Sequence, residues 1–268
     1  MSTLNIHAAP GAIGADAVLA SLPVSFTAAS TERDAQVQVL DGAPGWLGHA
    51  TTALDAGQTV LVQSPAPLEA EEQERARVLA EDPAGSRLLL DLPWAGNPAL
   101  EAAGPAVRTA AEGAGLLEVH ALLGPVARSG TALLDVALTV AALLGPLERA
   151  RLLHADEGGA TVLAGAAGRD VSIQLTPTLR PTHGCRMRVL GATSTAEVTL
   201  PDSGTARPAE VTLTDATGHT VLPTLWESSH RAAWRRVHRL DADDAVDDIE
   251  RLLHAHTVLA DVLAALPR

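Results

Sequence analysis

The chain has 268 residues, a formal net charge of −13, 47% hydrophobic content and an aromatic share of only 2%. All 19 basic residues are Arg, and the absence of Lys and Tyr excludes a Schiff-base or phosphate-loop lysine and a tyrosine proton donor. The negative charge argues against broad binding to nucleic acid or an anionic membrane, and the single Cys185 excludes an internal disulfide and a cysteine-rich metal site.

The lone cysteine leads to the expectation of a reducing, cytoplasmic setting, and the start, Met1-Ser-Thr-Leu-Asn-Ile6, with neither a basic nor a long apolar character, does not read as a signal peptide. From Leu4 onward short β-like runs alternate with helical ones. Leu4 to Ala8, Val24 to Ala29, Gln36 to Leu40, Thr59 to Val62 and Arg87 to Leu92 read as strands. Gly14 to Leu22, Trp46 to Ala56 and Leu68 to Ala80 have helical spacing, with Gly57 placed to end the second helix. Strands separated by helices predict a parallel, doubly wound sheet of the Rossmann type.

A helix at Pro98 to Glu112, a strand at Leu116 to Leu123 and an apolar helix at Thr131 to Leu144 follow. That apolar stretch contains Asp135 and is too short to span a bilayer. Thereafter β-like runs succeed one another at Ala160 to Gly165, Val171 to Thr176, Cys185 to Leu190, Ala196 to Leu200, Ala209 to Thr214 and His219 to Leu222. Short turns between several of them predict an antiparallel or mixed open sheet. Helices at Ser229 to Leu240 and Ala242 to Ala265 complete the chain. The expected organisation is an abbreviated Rossmann-like domain at 1–97 and a C-terminal α/β domain at 98–268.

Several segments, in order, carry a resemblance. Ala53-Leu-Asp-Ala-Gly57 runs into Val60-Leu-Val-Gln-Ser-Pro65. Asn97-Pro98 comes next, then Gly130-Thr-Ala-Leu-Leu-Asp135 leading to Leu144-Gly145, and finally Arg186-Met-Arg-Val-Leu-Gly-Ala-Thr-Ser-Thr-Ala-Glu-Val-Thr-Leu200. In this order they resemble the Gfo/Idh/MocA (glucose-fructose oxidoreductase/inositol dehydrogenase) family over nearly the whole chain. The resemblance implies a dinucleotide-binding N-terminal domain and a C-terminal sheet used for substrate binding and for homo-oligomer or hetero-oligomer contacts. It also implies a proton-handling lysine in E-K-P and a histidine in D-x-G-x-H.

The sequence departs from that pattern at most of its functional positions. Ser64 stands where the lysine belongs, Gln63 replaces its acidic neighbour, Asp135 matches the Asp, and Thr139 replaces the histidine. An unassisted hydroxyl is too weak a base near neutral pH to stand in for either group. Asp135 is left either as a proton donor or as a local hydrogen-bonding residue on a core-facing helix. Ala9-Pro-Gly11-Ala-Ile-Gly14 lies where G-x-G-x-x-G is expected, with the first glycine lost but Gly11 and Gly14 kept for a tight turn near pyrophosphate. Arg33 is open to two readings, a contact to an NADP phosphate or an ordinary solvated turn residue. Between the second strand and Asp34 there is no room for the helix and strand that complete a Rossmann half, so NAD(P) is expected to be bound weakly or not at all.

No histidine spacing makes a metal site, and no G-x-S-x-G nucleophile elbow occurs. The helix at His230 to Arg239 carries four arginines beside Trp234 and Val237, as an anion or partner surface or as a solvated face opposite a packed stripe. Trp46 and Trp94 lie after strand C-terminal ends, where ligands bind in open α/β sheets, as an apolar lid or as core. The expected function is a degenerate family member without normal redox turnover that binds a small ligand or performs a cyclase- or isomerase-like reaction on a metabolite. The alternatives are a divergent NAD(P)H-dependent reductase using Asp135, Ser64 or Thr139 in new roles, and a non-catalytic assembly partner of a complete homologue.

Overall fold

The computed structural model describes residues 3–112, 115–125, 127–179, 183–205, 207–240 and 246–266. The chain divides into two compact units, Met1–Leu92 with Ala233–Leu253 and Pro93–Ala232 with His254–Arg268. The first holds a parallel sheet of β1 (Leu4–Ala8), β2 (Phe26–Ala28), β3 (Val37–Asp41), β4 (Thr59–Gln63) and β5 (Leu88–Asp91), in the order β2-β1-β3-β4-β5. Helices α1 (Ala15–Ser21), α2 (Trp46–Asp55) and α3 (Ala70–Glu81) accompany it. From β1 the chain moves outward to β2 and then crosses back to β3, so the topological switch point lies between β1 and β3.

The crossing from β2 to β3 is a single 3-10 turn, Glu32–Asp34, with no further helix or strand. Buried amide side chains pin it: Nε2 of Gln38 and of Gln58 donate to Glu32 O at 3.0 and 2.7 Å, and Gln58 Nε2 also donates to Ala35 O at 2.8 Å. The Glu32 and Ala35 carbonyls are thus satisfied without water. Ile6, Val37, Val39, Leu61 and Leu89 from the sheet form one apolar cluster with Val18 of α1 and with Trp234 and Val237. The last two belong to α6 (Ser229–Arg239), and Trp234 meets Phe26 edge-on at 5.2 Å between ring centroids.

The free edge of β5 is closed by a charge. Leu90 N donates to Asp248 Oδ2 at 2.8 Å, and Arg236 Nη2 donates to Asp248 Oδ1 at 2.9 Å. Asp248 is buried, and these partners offset its desolvation while covering an otherwise unpaired strand edge. It is the first residue of α7 (Asp248–Ala265); the expected start at Ala242 lies outside the described residues.

The second unit is an eight-stranded mixed sheet made of β6 (Leu116–Leu123), β7 (Leu147–Asp156), β8 (Gly159–Ala166), β9 (Arg169–Pro177), β10 (Gly184–Leu190), β11 (Thr195–Pro201), β12 (Glu210–Asp215) and β13 (Gly218–Val221). Its order is β13-β12-β11-β10-β6-β9-β8-β7, with β6 and β9 parallel and the other neighbours antiparallel. Helices α4 (Ala99–Ala110) and α5 (Ser129–Leu144) pack on this sheet. Along β6, Leu117, Val119, Ala121 and Leu123 are buried, whereas Leu116 and His120 are exposed and Glu118 and Leu122 half-buried. The period of two thus separates a covered face from an open one.

Strand β7 is absent from the sequence-based reading. It is an outer edge strand with register shifts at Leu147/Arg149 and Leu152/His154, and nearly all of its residues are at least partly exposed. No alternating apolar pattern is therefore needed to form it, and its arginines keep the edge soluble. No helix among the described residues is long and apolar enough to cross a membrane. The architecture is the expected α/β fold, a Rossmann-like parallel sheet and a second α/β unit with a largely antiparallel mixed sheet.

Candidate ligand site

In the first unit the loops after β1, β3 and β4 meet at the C-terminal rim of the sheet, where open α/β folds bind ligands. The β1–α1 turn contains Gly11 and Gly14 at φ 95° and 77°, a conformation that glycine adopts without strain. Several of its main-chain groups are already bonded within the unit. Ala9 N donates to Val39 O at 2.8 Å and Ala12 N to Ala9 O at 3.1 Å. The Gln63 side chain bonds both main-chain groups of Ile13: Ile13 N donates to Gln63 Oε1 at 2.7 Å, and Gln63 Nε2 donates to Ile13 O at 2.8 Å.

Asp41, the last residue of β3, faces the same turn. A Cβ on Gly11 would lie 2.9 Å from Asp41 Oδ2. Gly42 permits the β3 and β4 loops to cross, because a Cβ there would meet Gln63 O at 2.3 Å. Ser64 follows with φ 47°, a left-handed conformation that is uncommon for a serine, and its N donates to Asp91 O at 3.0 Å. Trp46 is buried, its Nε1 donating to Ala66 O at 3.0 Å, so its indole fixes the β4 loop from inside the unit. Arg33 is exposed on the 3-10 turn Glu32–Asp34. The structure therefore joins Gln63 to the turn bearing Gly11 and Gly14, places Ser64 beside it in the chain and leaves Arg33 on the surface.

In the second unit Asp135, Thr139 and Trp94 form another group. Asp135 is 2% exposed on α5, and its carboxylate accepts from Trp94 N at 2.9 Å and Ala95 N at 2.8 Å. Thr139, fully buried, donates its hydroxyl to Asp135 O one turn back at 2.6 Å. Trp94 is itself buried and stacks on His183, with centroids 4.6 Å apart and an interplanar angle of 20°. Burial holds His183 below its ordinary value of 6.5, with Asp202 pulling the other way. Burial, and then the charge of Asp135, pushes the Cys185 thiol far up, which keeps it protonated and unreactive.

A concavity of about 500 Å³ lies in the same unit, lined by His120, His183, Arg186, Thr199, Asp202 and others. None of these residues stands out in the sequence as a site candidate. Only the pairing of β6 with β10 reveals that Arg186 and His120 are direct cross-strand neighbours, since the two strands lie far apart along the chain and give no local signal of their pairing. Among the described residues no cluster of His, Cys, Asp and Glu could hold a metal ion.

Together these elements define a Rossmann-type α/β protein whose ligand rim and helix-borne carboxylate both take part in internal bonding. No family model matches the chain, and no curated protein matches it by sequence. Solved structures do. The 3-ketoreductase KijD10 from Actinomadura kijaniata, in complex with NADP, superimposes with a TM-score of 0.71 at 14% identity, over 98% of this chain and 89% of that one. The UDP-N-acetylglucosamine 3-dehydrogenase GnnA from Acidithiobacillus ferrooxidans gives 0.65 at 16% identity, over 97% and 88%. A protein from Magnetospirillum magnetotacticum MS-1, provisionally named an oxidoreductase, gives 0.69 at 18% identity over 97% and 99%. The chain thus has the fold of these oxidoreductases.

Proposed function

We propose that the chain is a Gfo/Idh/MocA-type protein that has turned its dinucleotide and proton-handling positions to structural use, and that it binds or converts a small metabolite without redox turnover. The observation that carries this reading is the state of Asp135 and Thr139. The carboxylate holds two main-chain amides of the loop after β5, and the hydroxyl is bonded to its own helix. Both groups are thereby committed to internal hydrogen bonds rather than set to exchange a proton with a substrate.

The residues of the β1–α1 turn do not fit a dinucleotide. Pyrophosphate at such a turn is held by free main-chain N–H groups, whereas Ala12 and Ile13 already donate theirs. The Asp41 carboxylate beside Gly11 has the same sign as a phosphate. Helix α1 has only seven residues. A cytoplasmic setting accords with a lone, buried Cys185. Calorimetric titration with NADPH and NADH tests the reading: saturation is expected only above about 100 μM, and a low-micromolar Kd for either would overturn it.

A second reading is a divergent NADP-dependent reductase. It is favoured by the likeness to KijD10, a 3-ketoreductase with NADP, and to GnnA, a dehydrogenase. Ser64, in its strained conformation after β4, then supplies the polarising hydrogen bond. The same titration decides between the two.

A further inference from the structure

We propose that Gln63 and Asp41 form a latch that holds the β1–α1 turn closed against diphosphate-bearing ligands. The chain then rejects dinucleotides through its own contacts rather than through loss of the fold. This rests on the first reading above and gives it a physical cause. Gln63 is the last residue of β4, and β3 lies between β4 and β1 in the sheet. To reach Ile13 the side chain therefore passes over the end of β3, across the switch-point crevice in which open α/β sheets hold their ligands.

The contact uses both ends of the amide. Its oxygen takes the Ile13 N–H at 2.7 Å, and its nitrogen binds the Ile13 carbonyl at 2.8 Å. A carboxylate at this position could accept the first bond but not donate the second, so the amide secures the turn in a way that an acid cannot. Asp41 adds a negative group on the other side of the turn, with Oδ2 2.9 Å from where a Gly11 Cβ would stand. A diphosphate entering the turn would have to displace Gln63 from an N–H and also approach a carboxylate.

The test compares the full-length wild-type chain with the double variant Gln63→Ala/Asp41→Asn, by amide hydrogen exchange at Ile13 and by NADPH titration. Exchange at Ile13 should accelerate at least about tenfold in the double variant, and its Kd for NADPH should fall at least about tenfold below that of wild type. Faster exchange with an unchanged Kd would overturn the proposal, and so would unchanged exchange. Gln63→Glu should bind NADPH no better than wild type; tighter binding would also overturn it. Should the double variant fail to fold, Asp41→Asn alone, at an exposed position, should lower the Kd about threefold, and no change would count against the latch. Tight NADPH binding by wild type sinks the first reading, whereas the latch stands or falls on the ratio between variant and wild type.

Discussion

His183 illustrates how one residue acquires its properties from packing. Its ring lies against buried Trp94, and burial depresses its affinity for a proton below the ordinary value of 6.5 despite the nearby Asp202. The folded chain thus favours neutral imidazole. As pH falls below 6.5 the unfolded chain takes up a proton that the folded chain resists, so the stability contributed by this residue is present above that pH and is lost as pH falls through the depressed value. Thermal melts at pH 7 and pH 5 should therefore differ less for His183→Gln than for wild type, and an identical pH response would reject the assignment. None of this is legible in the segment Pro181-Thr-His-Gly-Cys185, because Trp94 is distant in sequence. The two tryptophans teach the same lesson. Their place after strand ends is compatible with a lid or with core, and only near-zero exposure separates the two.

At the scale of elements, Asp135 ties α5 to the loop that follows β5. Helix α5 is apolar on nearly all sides, with Leu133, Leu134, Val136, Leu138 and Val140 all buried, so it is held mainly by nondirectional packing. The carboxylate supplies a directional constraint by accepting from Trp94 N and Ala95 N. Asp135→Asn would turn an amide N–H₂ toward one of those donors and leave a buried main-chain N–H without its acceptor. A loss of about 2 to 3 kcal/mol in urea unfolding is expected, and a loss below about 0.5 kcal/mol would mean that the contact does not constrain the fold. The sequence places an acid in an apolar helix but does not give it a partner. The same limit explains β7: its neighbour β8 supplies the hydrogen bonds that make it a strand, while its own residues, facing solvent, carry no pattern of burial.

For the molecule as a whole, we propose that the open face of the eight-stranded sheet serves self-association. Arg188 lies 3.6 Å from Glu118 and 3.5 Å from Glu197, and Arg186 lies 2.6 Å from Glu197. Both charge signs thus alternate across the strands, and a patch that carries both can meet a second copy of itself about a two-fold axis. Sedimentation equilibrium should give a dimer that Arg188→Glu weakens; a wild-type monomer throughout the micromolar range would refute the assignment. Assembly with a complete homologue remains the other proposal for this face.

The sequence by itself determined the order and kind of most elements, because apolar period and turn residues act over a few positions: β1 and β6 lie where those signals place them, and the short β2-to-β3 crossing follows from a lack of residues. It also established, at single positions, that no lysine could stand at Ser64. Only the tertiary structure decided what the remaining polar groups do. Gln63 meets Ile13, Asp135 meets Trp94 and Ala95, and Arg186 meets Glu197 because strand order and loop crossings bring them together. A hydrogen bond is specific to a few tenths of an ångström, and such proximity between distant residues has no signature in one chain's local pattern.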